Sequence, residues 1–320
     1  MKRIWALLLA MLLIFSLVAC STSDDDDDDS SRKSKKDKET SQSAEADEEE
    51  EEEEEETAKE EKEEAPQKLN KFEEIIVVDN DDCTIKITDL KEDDFYGLEL
   101  KVYLENKTDK ELNFDIERSS IDGVQSYVFL YEDVAAGKKS NVTAGVDIAS
   151  LEEFGLKTAT DIELCFEVTD ANDYSADPVA EATVHVYPYG EEQASVFERT
   201  AQKDDVVLVD NDEFTVIVTG YQDTDDYYGF IANIYIVNKT DKNISVVAED
   251  TSVNGYMLDG FLYDDVYAGK QAFVNMSWPK EEMEKNDISK VELIEFVLSI
   301  SDADDWFADD YVNEEITLEP

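Results

Sequence analysis

The side chains of this sequence that could do chemistry are mostly carboxylates. Asp210, Asp212 and Glu213 gather before one predicted strand, and Asp302, Asp304, Asp305, Asp309 and Asp310 gather in a late loop. An earlier set has the same arrangement, with Asp79, Asp81 and Asp82 followed by Asp170, Asp173 and Asp177. In a β-sandwich a strand start and a late loop can share one pole, and converging carboxylates suit Ca2+, which takes about six to eight oxygens. The candidate calcium ligands are therefore Asp210, Asp212, Asp302, Asp304, Asp305 and Asp309. Neither set has the spacing of a helix–loop–helix calcium site, and solvated loop acids are the competing reading. No other cofactor is expected.

The remaining reactive residues are few. His185 is the only histidine and alternates with Val184 and Val186, which reads as a surface strand position. One histidine leaves no room for a histidine zinc site or a repeated histidine triad, and neither common phosphate-binding glycine loop is present. Cys83 shares a face with Ile85 and Ile87, whereas Cys165 sits between Glu163 and Glu167 on a polar face, so both are expected as free thiols. Tyr227, Tyr228, Tyr256 and Trp306 could line a saccharide or peptide groove, with Trp278 as a further candidate; packing is the alternative for each. No catalytic constellation emerges, and the chain reads as a non-enzyme.

A repeat must position these residues. The stretch Asn106-Lys107-Thr108-Asp109-Lys110 returns letter for letter as Asn238-Lys239-Thr240-Asp241-Lys242, 132 residues later. Around it, Leu100, Val102 and Leu104 match Ala232, Ile234 and Ile236, while Leu112, Phe114 and Ile116 match Ile244, Val246 and Ala248. Such an echo signals a duplicated module. Alternating apolar residues predict strands, so strand, polar turn, strand is the expected local order, with the pentapeptide as a hairpin turn. Helical turns are expected near Ser150 to Phe154 and Pro279 to Glu284. Each copy of about 115 residues then holds roughly seven short strands, the pattern of an antiparallel β-sandwich.

The rest of the chain sets the address. Lys2 and Arg3 precede an uncharged apolar run to Ala19, which reads as an export signal. From Ser21 onward the composition is low-complexity and charged, with Asp24 to Asp29 all aspartate and Glu48 to Glu56 all glutamate. A disordered, self-repelling tether is expected there. The expected organisation is a signal over 1–20, a spacer over 21–71, modules over 72–188 and 204–320, and a linker over 189–203, with Val196 and Phe197 packing onto one module. The formal net charge is −54, of which residues 71–320 carry −41. That field disfavours nucleic acid and favours cations or basic partners.

Two resemblances follow. The end of the signal, Leu17-Val18-Ala19-Cys20, is similar to the lipobox of bacterial lipoproteins, which implies cleavage before Cys20 and a diacylglycerol on its sulfur. The alternative is a plain secretory signal or an uncleaved anchor. The modules, through Val78-Asp79-Asn80-Asp81, the pentapeptide with Glu105, Ser252-Val253-Asn254-Gly255-Tyr256, Ala268-Gly269-Lys270 and Asp304-Asp305-Trp306, resemble immunoglobulin-like domains of unknown function in Gram-positive lipoproteins. These are broadly similar to secreted immunogenic antigen domains. The resemblance implies extracytoplasmic display and an undefined binding role, and brings no catalytic residues. With the lipobox, the tether, the duplicated sandwich and the missing site chemistry, the expected function is a lipid-anchored protein whose tandem modules bind a cell-wall polymer or another extracellular ligand without catalysis. A structural spacer or a docking site for an exported protein, with calcium as a candidate ligand, is the other function expected. The first copy departs from the shared pattern at Ser120 to Val124.

Overall fold

The computed structural model describes residues 68–173, 175–305 and 307–320. The signal, Cys20 and the charged tether up to residue 67 lie outside the described residues, as does Trp306. At the end of the expected spacer, Leu69 packs against the first core and the Asn70 N–H donates to the Pro188 carbonyl at 2.9 Å.

Strand formation follows the alternation in the sequence. The first copy contains β1 (Ile75–Asp79), β2 (Cys83–Asp93), β3 (Gly97–Asn106), β4 (Leu112–Ile121), β5 (Val124–Gln125), β6 (Tyr131–Val134), β7 (Lys139–Asp147), β8 (Ile162–Asp170) and β9 (Ala180–Val186). In β3 and β8 every second residue is buried from end to end, because successive side chains point to opposite faces. The second copy repeats the set as β10 (Val206–Asp210), β11 (Phe214–Asp223), β12 (Phe230–Asn238), β13 (Ile244–Val253), β14 (Tyr256–Met257), β15 (Tyr263–Val266), β16 (Gln271–Trp278), β17 (Ile294–Asp302) and β18 (Val312–Leu318). Nine strands per copy exceed the seven expected, because β5, β6 and their counterparts are too short to show a period. The two helical turns form at Ala149–Phe154 and Lys280–Lys285.

Each copy is an antiparallel β-sandwich. In the first, β1-β2-β3-β7 makes one sheet, and β4-β8-β9, with β5 and β6 on β4, makes the other. In the second, β10-β11-β12-β16 faces β13-β17-β18, with β14 and β15 on β13. Pairing of the second strand with the third and third with the seventh, opposite a fourth–eighth–ninth sheet, is the immunoglobulin-like order. Ile85, Leu100, Phe114, Ile162 and Phe166 fill the first core; Phe214, Ile236, Trp278, Leu298 and Ile300 fill the second. Each such side chain contributes about 1.5–3 kcal/mol on burial.

The pentapeptide does not close a hairpin. β3 pairs with β2 and β7, while β4 pairs with β8, so Asn106 to Lys110 carries the chain from one sheet to the other. A five-residue polar stretch between two alternating strands is compatible with either path. Only the position of β7 and β8, far along the chain, selects the crossing.

The two sandwiches belong to one compact unit. Val124 in β5 pairs in parallel with Gln271 in β16, which links one sheet of each sandwich into a nine-stranded sheet. From the linker, Phe197 packs against the first core, whereas Val196 is exposed.

Candidate functional site

The repeated pentapeptide builds one pole of each sandwich. Asn106 is almost fully buried, and its Nδ2 donates to the carbonyls of Lys110 and Val134, both at 2.7 Å. Its Oδ1 accepts from the Thr108 N–H at 2.9 Å and the Thr108 hydroxyl at 2.8 Å. Asn238 repeats each bond, to Lys242, Val266 and Thr240. From its place at the end of one sheet, the asparagine thus satisfies backbone groups of the turn and of the opposite sheet, which explains why the stretch keeps its letters.

Its two lysines reach outward to the carboxylates predicted as calcium ligands. Lys239 Nζ donates to the Asn211 carbonyl at 2.6 Å and lies 3.4 Å from Asp210 Oδ1, which also accepts from Thr215 Oγ1 at 3.0 Å. Lys242 Nζ meets Asp302 Oδ2 at 2.6 Å, and the Tyr311 hydroxyl donates to the same oxygen at 3.0 Å. Hydrogen bonding from Thr215 and then Lys239 holds Asp210 below the ordinary carboxylate pKa, and Lys242 does the same for Asp302. In the first sandwich Lys107 and Lys110 hold Asp79 and Asp170 in the same way.

Asp210 and Asp302 therefore share a pole, on opposite sides of a lysine-bearing turn. Asp304 takes the Asn243 amide at 3.2 Å, Asp305 accepts from the Phe307 N–H at 3.1 Å, and Asp212 and Asp309 are exposed. Among the described residues, no group of three or more His, Cys, Asp or Glu is placed to hold a metal. The predicted ligand set is not assembled, because the turn supplies ammonium groups where a cation would need vacant oxygens.

The other reactive residues take structural places. His185 is exposed on β9, with Nδ1 2.8 Å from Asp161 Oδ1. Cys83 is fully buried, and burial pushes its thiol up to about 11. Cys165 is half-buried with its sulfur 3.3 Å from Thr183 Oγ1, and both cysteines are free. Trp278 is fully buried against Gly260, where an added Cβ would come within 2.6 Å of Nε1. It is a core residue and lines no groove.

The aromatics form a repeated corner that sequence reasoning found only in part. Phe95 and Tyr96 follow β2 in the first sandwich, and Tyr227 and Tyr228 follow β11 in the second. Each pair is exposed and packs edge to face, at 4.7 Å and 5.8 Å between ring centres. Tyr96 lies over Gly145, and Val128 bridges to the adjacent Val146, which brings exposed Phe129 to the same corner. In the second sandwich Phe261, also exposed, bridges directly to Ser277, the counterpart of Gly145. Phe129 and Phe261 stand next to the buried Leu130 and Leu262, and so short an apolar run gives no sign of which residue faces outward. Tyr256 is exposed on the separate strand β14.

A second assembly joins the sandwiches. Phe273 on β16 stacks on Phe154 at 4.0 Å between centres, with planes 9° apart, and meets Phe197 edge-on at 5.9 Å. The Gln271 N–H donates to the Gly123 carbonyl, and its side chain donates to the Phe197 carbonyl, both at 2.9 Å. Gln125 accepts from the Tyr267 N–H at 2.6 Å and donates to the Asp265 carbonyl at 3.0 Å. Lys270 Nζ meets Glu163 Oε2 at 2.6 Å. The departure of the first copy around Val124 lies in this junction: Val124 is fully buried, whereas its counterpart Tyr256 is 49% exposed.

No family model matches the chain, and no curated protein matches it. Among solved structures it is similar to a crystal structure of YadV chaperone, with 11% identity and a TM-score of 0.21, covering 69% of this chain and 92% of that one. It is also similar to the Salmonella enterica SafA pilin in complex with the SafB chaperone, with 12% identity and a TM-score of 0.19, covering 69% of this chain and 89% of that one. At such scores the likeness adds nothing to the fold assignment, which rests on strand order.

Proposed function

We propose that this chain is an extracytoplasmic bacterial lipoprotein, anchored by lipid on Cys20, whose two immunoglobulin-like sandwiches bind a cell-envelope or extracellular ligand without catalysis. The observation that supports binding is the aromatic corner present in both copies. Phe95, Tyr96 and Phe129 are 76%, 41% and 58% exposed; their counterparts Tyr227, Tyr228 and Phe261 are 74%, 55% and 68% exposed. Clustered exposed aromatics are costly to leave in water unless a partner uses them. Their rigid, largely apolar faces suit stacking on sugar rings or peptide side chains. Support for the anchor is the Leu17-Val18-Ala19-Cys20 ending of the apolar signal.

Two experiments test the reading. Metabolic labelling with a fatty acid should mark the full chain and not its Cys20→Ala variant; equal labelling refutes the anchor. Co-purification from crosslinked cells should recover a wall polymer or extracellular ligand with the native chain. The triple variant Tyr227→Ala, Tyr228→Ala, Phe261→Ala should lose it while retaining its melting temperature. Undiminished recovery with that variant refutes the aromatic corner as the binding site.

A further inference from the structure

The junction between the sandwiches joins two different ends, and the duplication means that each end exists twice. The first sandwich contributes the turn at Asp122 and Gly123, strand β5, and Glu163. The second contributes Lys270 and the start of β16. Shifted by 132 residues, the first kind of end recurs on the second sandwich as Asn254, Gly255, β14 and Glu295. The second kind recurs on the first sandwich as Lys138 and the start of β7.

Both recurring ends are open. Tyr256 and Met257 are 49% and 71% exposed, and Lys138, Lys139 and Glu295 are exposed. Among the described residues β14 pairs with β13 alone, and at its Lys139 end β7 pairs with β3 alone. We propose that copies of this chain associate head to tail by repeating the internal junction between molecules. The Gly255 turn, β14 and Glu295 of one copy dock on Lys138 and the β7 edge of the next.

Three features carry over. The turn is the same: φ is 51° and 81° at Asp122 and Gly123, and 52° and 80° at Asn254 and Gly255, so the Gly255 carbonyl has the setting of the Gly123 carbonyl. The side chains that brace it also correspond. Asp122 accepts from the N–H groups of Thr160 and Asp161, and Asn254 accepts from those of Glu292 and Leu293. The charge pair is the same too, with Lys138 and Glu295 in place of Lys270 and Glu163.

Other features do not carry over. The Phe154–Phe273 stack becomes Asn286 and Asn141, and Gln125, with its two bonds to the second sandwich, becomes Met257. The contact between molecules is therefore weaker than the internal one and depends on concentration. A contact that joins unlike ends at an angle that does not close gives an open array.

The test places a photo-crosslinking amino acid at Met257 in the full chain, in its own membrane. Irradiation should give a band at twice the chain mass, with the crosslink mapping to residues 138–141. Lys138→Glu and Glu295→Lys should each lower that band roughly threefold to tenfold, and the two changes in one chain should restore it. Melting temperatures of the variants check that they fold. Loss of the proposal follows from a dimer crosslink mapping elsewhere, from capture of a different protein in place of a second copy, from no crosslink at all, or from failure of the double reversal to rescue.

Discussion

The Asn238 side-chain amide donates to the Val266 carbonyl at 2.9 Å, as Asn106 does to Val134 at 2.7 Å in the other copy. The asparagine thereby pins the crossing between sheets to the strand beneath it. Asn238→Ala or Asn106→Ala leaves buried carbonyls without a donor and should cost about 1–3 kcal/mol. Asn→Asp should cost a similar amount, because a carboxylate cannot donate. Urea denaturation of each variant reads the loss, and an unchanged midpoint would show that the turn is ornamental.

Asp264 on β15 gives a pH effect with the opposite sign to most acids here. Burial, and then the neighbouring Asp265, push its pKa up to about 6. Its counterpart Glu132 accepts a hydrogen bond from Ser140 at 2.7 Å, but Ser140 is replaced by Ala272 in the second copy. A raised folded pKa means that the folded state holds the proton more tightly, so stability falls as pH rises from about 4 to 6. Asp264→Asn should flatten that slope and stabilise the protein at pH 7 by about 1–3 kcal/mol. Chemical denaturation at pH 4, 5.5 and 7 distinguishes this from a pH-independent change.

The lysine-held acids behave the other way. Asp79, Asp170, Asp210 and Asp302 all have folded pKa values below the ordinary carboxylate value. Their contribution is fully present above the unfolded value of about 4 and is lost as pH falls through the lowered folded values. The same pairing predicts the response to calcium: millimolar Ca2+ should leave the melting temperature at pH 7 unchanged. A rise that Asp302→Asn removes would show that a cation displaces Lys242.

The thiols should differ in reactivity. Cys83 is fully buried and its pKa is raised, so little thiolate forms, whereas Cys165 is partly accessible. Alkylation of the native protein followed by mass spectrometry should mark Cys165 first and Cys83 only after unfolding. A Cys83–Cys165 crosslink would contradict the arrangement.

The junction should hold the two sandwiches as one body. Phe273→Ala removes the stack on Phe154 and the contacts with Phe197 and Tyr235. Solution scattering should show a single fixed spacing for the native chain and a broadened one for the variant. Equal profiles would mean that the polar contacts of Gln271 and Gln125 suffice.

Much of the fold was legible because it is local and written twice. Alternation in stretches such as Leu98 to Leu104 and Ile162 to Val168 marks strands directly, and the pentapeptide fixes the alignment that places His185, Cys83 and Cys165 in ordinary positions. β5, β6 and their counterparts were not legible, since two to four residues show no period. The exposed Phe129 and Phe261 were hidden for a related reason: neighbouring apolar residues on opposite faces look like one buried run.

The sequence by itself determined the strands, their duplication and the charge, because these depend on residue type and on spacing within one element. Tertiary structure alone decided that Asn106 to Lys110 crosses between sheets, since β7 and β8, which pair with β3 and β4 and place them in different sheets, lie tens of residues further along the chain. It also decided that Lys239 and Lys242 occupy the carboxylate pole, where the spacing of the acids alone suggested a cation site. The union of the sandwiches through Val124 and Gln271 belongs to the same class. A contact between distant surfaces depends on three-dimensional placement, which no local pattern encodes.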